Sequence, residues 1–365
     1  MRILLWYWGR RGGGAQFTLC FARGLTECPG VELALSLGER NTLLPEARQL
    51  GVPLDAVPTF GGLLGASLGV LRLPALRQRL VRQARSVRAD VVVSAMSHVW
   101  TPLVAGALPA AGLPFISIVH DALPHPGDPA IAWDWRLRQE LSAAAGAVAF
   151  SDAVAQAVAA RRPGLPILQL PLGAHLPSTG ADGTEPVADF LFFGRLRAYK
   201  GLDLLRDAFA ALRARHPGVT LRVVGEGDPE ACAPGLAALP GVTVEPRWVS
   251  DEEMPALVAS ARVVVLPYRE ASQSGVLPIA LALGVPVVAT PVGGLPAQLQ
   301  HGVSGLLARD VSAPSLTEAM ASILDPRRRA ALSAGARAAG ARLTDWGAQA
   351  AILVEWLGRL QGARP

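Results

Sequence analysis

The feature that most limits what this chain can become is an alternation that occurs twice. Short apolar runs trade places with helical stretches, once on each side of a polar segment. In the first half Arg2–Tyr7, Val31–Leu35, Asp90–Ser94, Phe115–Val119, Ala147–Phe150 and Ile167–Leu170 read as buried strands. Between them Gln16–Glu27, Pro74–Arg88, Thr101–Ala110 and Asp134–Ala145 have helical character. In the second half the predicted strands are Asp189–Phe193, Val219–Val224, Val242–Glu245, Arg262–Leu266 and Val285–Ala289. Lys200–Arg215, Asp251–Ser260 and Ser274–Leu283 are the helices between them. Parallel strands need crossovers of helix length, so this alternation predicts an α/β fold of two Rossmann-like parallel-sheet domains facing a central cleft.

Pro171–Pro186 (PLGAHLPSTGADGTEP) is the linker candidate. The domain plan that follows is 1–172, a linker at 173–187, a second domain at 188–342, and a last helix at 343–365. Trp346 and Trp356 give that helix a means of packing back on the first domain.

Length and composition agree with two buried cores: 365 residues, 51% hydrophobic and 17% charged. Cys20, Cys28 and Cys232 are odd in number and lack metal-ligand spacing, which fits a reducing compartment. Met1–Leu5 is too short for a signal core, and Phe60–Leu71 falls well short of the roughly 20 residues a spanning helix needs. The expectation is a cytoplasmic protein, at most lying on the inner membrane face.

Charge is unevenly placed. Residues 1–175 hold 16 arginines against 11 acids, whereas 176–365 balance at 18 each. Arg72, Arg77, Arg79, Arg82, Arg85 and Arg88 crowd one helical segment without an acid among them, beside the apolar Phe60–Leu71. That combination suits an anionic membrane surface or a solvated face. It does not suit nucleic acid, because no stacking aromatics are interleaved.

One lysine occurs in the chain, Lys200, in FFGRLRAYKGLDLL. It lies five residues after Arg195 in a loop between strand and helix, so the two can meet one anion, the fork and the point charge being complementary. A second piece, Ala271-Ser272-Gln273-Ser274-Gly275-Val276, opens a helix with small residues whose amides suit an anion. His120-Asp121 follows an apolar strand and so projects at the sheet edge; His98 and His125 lie near similar edges. Gly12-Gly13-Gly14 follows the first strand but lacks dinucleotide spacing, and by itself reads either as a weak nucleotide fingerprint or as a flexible turn.

In order and spacing, GRLxxYKGLDLL, VGEG, LPYxxASQSGV and GVPVVATPVGGLP resemble the retaining glycosyltransferases of family 4, which have the GT-B architecture. In the first half the resemblance rests on Gly12–Gly14 and on IVHD at 118–121. It implies a hexosyltransferase that needs neither metal nor cofactor, with a nucleotide-sugar donor and a sugar or lipid-linked acceptor. Arg195 and Lys200 would hold the donor diphosphate, with Ser274, Gly275 and Val276 offering amides to the distal phosphate. His120 would face the sugar, with Asp121, Glu226, Ser272 and Gln273 nearby and Arg247-Trp248 near the base. Two glutamates of the family pattern are missing. Ala271 and Ile279 stand in their places, the second being where the family holds the ribose. Glu270, beside the first position, is either a replacement contact or an exposed loop acid. Those losses leave open a non-catalytic partner subunit; a nicotinamide oxidoreductase is disfavoured by the absent dinucleotide fingerprint.

Overall fold

A computed structural model describes residues 1–59, 69–122, 130–176 and 186–362. The chain divides into two compact units, Met1–Pro171 with Asp345–Pro365, and Leu172–Thr344.

Unit 1 is built on seven parallel strands: β1 (Arg2–Tyr7), β2 (Glu32–Gly38), β3 (Leu54–Val57), β4 (Val91–Ser94), β5 (Phe115–Val119), β6 (Gly146–Ala149) and β7 (Ile167–Gln169). Their order is β3-β2-β1-β4-β5-β6-β7, so the chain reverses direction across the sheet between β1 and β4. Ile3 pairs with Val91 and Leu5 with Val93 at that seam. Its longer helices are α1 (Gly13–Glu27), α2 (Leu73–Ser86), α3 (Ala130–Ala143) and α4 (Asp152–Arg161). The strands run LLWY, VVVS and FISIV because helices or loops cover both faces of a parallel sheet.

Unit 2 repeats the plan with β8 (Ala188–Phe193), β9 (Leu221–Val224), β10 (Val242–Glu245), β11 (Ala261–Leu266), β12 (Val287–Ala289) and β13 (Gly305–Leu307). Its order is β10-β9-β8-β11-β12-β13, with the reversal between β8 and β11. The helices used below are α5 (Leu202–Arg215), α6 (Met254–Ala259), α7 (Val276–Ala282), α8 (Ala313–Ser322) and α9 (Pro326–Thr344). A final helix, α10 (Trp346–Gly362), belongs to unit 1, where Trp346 meets Phe17 and Phe21 of α1 edge-on.

The structure adds two short edge strands, β3 and β13, and helix α4 to the sequence-derived set. Edge strands of three or four residues carry too little apolar pattern to stand out in a sequence. The expected helix over Thr101–Ala110 is two single turns, Thr101–Val104 and Ala107–Ala110. Lys200 does not open α5. It ends a 3-10 turn, Ala198–Lys200, and the helix starts only after Gly201.

Candidate functional site

Ligands of open α/β sheets gather at the carboxyl ends of the strands where strand order reverses. In unit 2 those ends are Phe193 of β8 and Leu266 of β11. After β8 the backbone amide of Leu196 donates to the Glu226 carbonyl at 2.9 Å, which zips this loop to the VGEG loop after β9. Glu226 therefore works through its backbone, and its side chain is exposed. Gly201 has φ 69°, and a Cβ there would lie 1.9 Å from the Pro267 carbonyl oxygen. Only glycine lets the chain turn so close to the segment after β11. The Arg269 amide donates to Tyr199 at 2.9 Å and closes the same contact from the other side.

This turn sets Lys200 over Tyr268. The ammonium lies 3.7 Å from the ring centroid, and the buried Tyr268 hydroxyl is 3.3 Å from Ser274 Oγ. A cation on an aromatic face is held without being neutralised. Nearby cations are neutralised: Arg269 pairs with Asp203 at 2.6 Å and Arg206 with Asp207 at 2.8 Å. Arg195 and Lys200 have no carboxylate partner among the described residues, and Arg195 is exposed. Two uncompensated cations at a sheet switch point suit a polyanion.

The loop from 270 to 276 departs in part from the sequence reading. The Ser274 amide donates to Gln298 Oε1 at 2.8 Å, and Gln298 Nε2 donates back to the Ser274 carbonyl at 3.1 Å. That amide is already committed, because a carboxamide can satisfy both backbone groups at once. Gly275 and Val276 remain at the start of α7 with amides that lack an intrahelical partner. Ser272 and Gln273 are half-buried on this loop and Glu270 is exposed. The Ala271 carbonyl accepts from Gly294 at 3.2 Å. Ile279 is 3% exposed and belongs to the unit 2 core, so its face of α7 is apolar packing.

Arg247 is held inside its own loop. Its guanidinium donates to Glu253 at 2.9 and 2.5 Å and to Glu245 at 3.1 Å. Those carboxylates raise its pKa, Glu253 first. The fork is thus used to shape the segment between β10 and α6, leaving Trp248, 52% exposed, as the flat surface there.

In unit 1, His120 follows β5 and is buried against Phe17 and Phe150, with ring centroids 4.9 and 4.8 Å away. Its Nε2 lies 3.0 Å from the Ala95 carbonyl oxygen. A carbonyl only accepts, so Nε2 carries the proton and Nδ1 is the basic nitrogen. Burial pushes the imidazole pKa down, against smaller upward pulls from the Ala95 carbonyl and Asp121. His120 is therefore a neutral, oriented ring. Asp121 is half-buried beside it. Gly12 precedes α1 and Gly13 is exposed, whereas Gly14 is buried against Tyr7 and Met96. A cavity of about 70 Å³ opens beside His120, lined by Met96, Ser97, Asp121, Trp133, Arg136 and Glu140 among others. His98 is largely buried, and burial, then the charges of Arg136 and Arg10, push its pKa down to about 4. His125 lies outside the described residues.

Sequence reasoning missed Tyr268, Gln298 and Glu140. Glu140 had a signal: Leu137, Glu140, Leu141 and Ala144 form one helical stripe at i, i+3, i+4 and i+7, and all four are buried. Tyr268 stood in the motif LPYxxASQSGV with no role read for it and Gln298 had no signal, since their partners lie 6 and 24 residues away in contacts that only packing creates. Among the described residues no three His, Cys, Asp or Glu side chains gather as a metal site would require.

Comparison with known proteins places both halves. Residues 11–167 match the family model described as Glycosyltransferase Family 4, and 188–326 match Glycosyl transferases group 1. A glycogen synthase of Mycobacterium tuberculosis is 33% identical over 191 residues, covering 51% of this chain and 44% of its own length. A D-inositol 3-phosphate glycosyltransferase of Corynebacterium aurimucosum is 37% identical over 148 residues, 38% of this chain and 35% of its own length. The chain thus spans about half or less of the length of these relatives. Anabaena HepE in complex with UDP and glucose superposes with a TM-score of 0.75 at 20% identity, covering 98% of this chain and 100% of HepE.

Proposed function

We propose that this chain, which belongs to the family 4 glycosyltransferases and has the GT-B fold, moves a sugar from a nucleotide-sugar donor to a hydroxyl acceptor with retention of anomeric configuration. The observation that carries the reading is the pair Arg195 and Lys200, cations at the β8/β11 switch point without a carboxylate partner among the described residues. In the reaction the acceptor oxygen bonds to the anomeric carbon, and the bond from that carbon to the donor phosphate oxygen breaks. The acceptor hydroxyl proton passes to an oxygen of the departing phosphate, and a nucleoside diphosphate leaves. Negative charge grows on the departing phosphate, where preorganised cations contribute most. Lys200 supplies a point charge held on Tyr268, Arg195 an exposed fork, and the amides of Gly275 and Val276 further donors. This assigns the leaving-group charge to side chains and amides and needs no metal ion or cofactor.

His120 faces the donor sugar in this reading, with Asp121, Gly12 and Gly13 close by. Trp248 offers its face to the nucleobase. With Ile279 in the core, the ribose hydroxyls are left to backbone groups or to Glu270. A hexose donor fits the family, and HepE is a neighbour whose complex holds UDP and glucose.

The acceptor is a sugar or a lipid-linked sugar of the kind used in cell-surface polysaccharide or glycolipid assembly. The basic segment supports the lipid-linked choice, though it is smaller than its six arginines suggest. Arg79 pairs with Asp55 at 2.6 Å and Arg77 donates to the Leu103 carbonyl at 2.7 Å. Arg72, Arg82, Arg85 and Arg88 remain exposed with Leu71, which is 84% exposed. Among the described residues no helix is long and apolar enough to cross a membrane. Co-sedimentation with anionic vesicles that fades with salt supports surface contact; no pelleting at low salt removes it.

Thermal stabilisation by a panel of UDP-, GDP- and ADP-sugars tests the main reading. A ligand at 100 times its dissociation constant adds about 2.7 kcal/mol, an easily seen shift. No shift with any of them overturns it. Loss of both family glutamates favours one second reading, a nucleotide-binding subunit without turnover, which would shift but release no sugar.

A further inference from the structure

Glu140 of α3 is 1% exposed and is the one carboxylate among the described residues buried to that degree. Burying an ionisable group costs several kcal/mol unless its hydrogen bonds compensate, so an apolar residue would serve α3 better as mere filling. Its two oxygens are both used. Oε1 accepts from Ser117 Oγ of β5 at 2.6 Å, and Oε2 accepts from Ser97 Oγ at 2.5 Å. Ser97 sits in the turn that leaves β4, and that turn touches the catalytic side of unit 1 twice. Ala95 offers the carbonyl that orients His120, and Met96 Sδ lies 2.4 Å from where a Cβ on Gly14 would stand. One carboxylate therefore clamps the turn to β5, the strand that carries His120. Burial pushes the Glu140 pKa up, opposed by the hydroxyls of Ser117 and Ser97 and by the charge of Arg136.

We propose that Glu140 is a positioning residue for glycosyl transfer: through Ser97 it fixes the 95–97 turn, and with it the imidazole of His120 and the floor under Gly14. It acts through these neighbours rather than by touching the reacting atoms. The turnover part of the inference rests on the function proposed above; the clamp itself does not.

Two measurements test it on Glu140→Met, Glu140→Gln and Ser97→Ala. The first is turnover of the nucleotide sugar that stabilises the wild type most, read as nucleoside diphosphate release. Glu140→Met should lower kcat 10- to 100-fold with KM for the donor within about twofold. Glu140→Gln accepts from one serine and donates to the other, and should recover to within about fivefold of wild type. A carboxylate that serves stability alone would move the melting temperature and leave kcat in place, which overturns the proposal. The second measurement is the side-chain spectrum of 15N-labelled histidine, with the His120 signals identified by their loss in His120→Asn. Wild type should show the Nε2-protonated form, and both Glu140→Met and Ser97→Ala should shift it toward mixed tautomers. Unchanged His120 signals in both overturn the clamp. Should Glu140→Met fail to fold, Ser97→Ala and Glu140→Gln decide both readouts. A wild type that turns over no nucleotide sugar refutes the proposed function, and the histidine spectrum then decides the clamp alone.

Discussion

The two units share the order of their first six strands but build their polar sites in opposite ways. In unit 2 the chemistry lies on loops: at the β8/β11 reversal two cations without a carboxylate partner among the described residues and a helix start, and after the edge strand β10 an exposed Trp248. In unit 1 it lies largely beneath the surface, where His120, Glu140 and Ser117 are buried and Glu140 ties Ser117 to the exposed Ser97. The difference teaches that one scaffold can offer an incoming anion unspent charge, or hold a side chain in one orientation. Unspent charge needs exposure, because a buried unpaired cation is too costly. Fixed orientation needs burial, because exposed side chains have rotamer freedom to lose.

Substitutions sort these two strategies by size. Gly201→Ala strikes the turn that unit 2 depends on. A left-handed backbone and a clash with the Pro267 carbonyl should together destabilise by about 3 kcal/mol, read by urea unfolding. A loss under 1 kcal/mol would mean the turn relaxes freely. Next is Lys200→Ala, for which calorimetry with UDP and GDP should show the affinity of the tighter nucleotide falling about 50-fold, or about 2.3 kcal/mol. Lys200→Arg should recover only part: a guanidinium can stack on Tyr268, but the longer, planar fork puts its charge elsewhere than the compact ammonium does. Equal affinity in Lys200→Ala would end the contrast between the units.

The buried site should respond to acid. His98 has a pKa held near 4 in the folded protein, below its ordinary value of 6.5, so the unfolded chain binds more protons between those values. Stability present above pH 6.5 should be lost as pH falls toward 4, by about 2 kcal/mol after allowing for partial exposure. His98→Asn should flatten that part of the pH profile in calorimetric scans; an unaltered slope would place the acid sensitivity elsewhere. The smallest expected effect is Trp248→Ala. Loss of a stacking face should weaken nucleotide binding about fivefold, or about 1 kcal/mol, and leave the melting temperature of the free protein within a degree or two.

Legibility followed the same divide. The unit 2 motifs were readable because their residues are consecutive: a glycine, an arginine and a lysine in one loop need only local geometry to matter. Even there the sequence placed Lys200 in the helix, and it could not show that Gln298 occupies the Ser274 amide or that Arg247 is spent on Glu245 and Glu253. The unit 1 site joins β4, β5 and α3, segments dozens of residues apart, and only His120 announced itself. Glu140 was visible as a polar residue on an apolar stripe, yet its partners were not.

By itself the sequence determined the two-sheet architecture, the helix crossovers and the loops that carry charge, because periodicity and loop chemistry are local and additive along the chain. Tertiary structure alone decided which polar groups are already satisfied and which remain for a ligand. That is a property of neighbours in space: a hydrogen bond or an ion pair is made once, and only the fold says with whom.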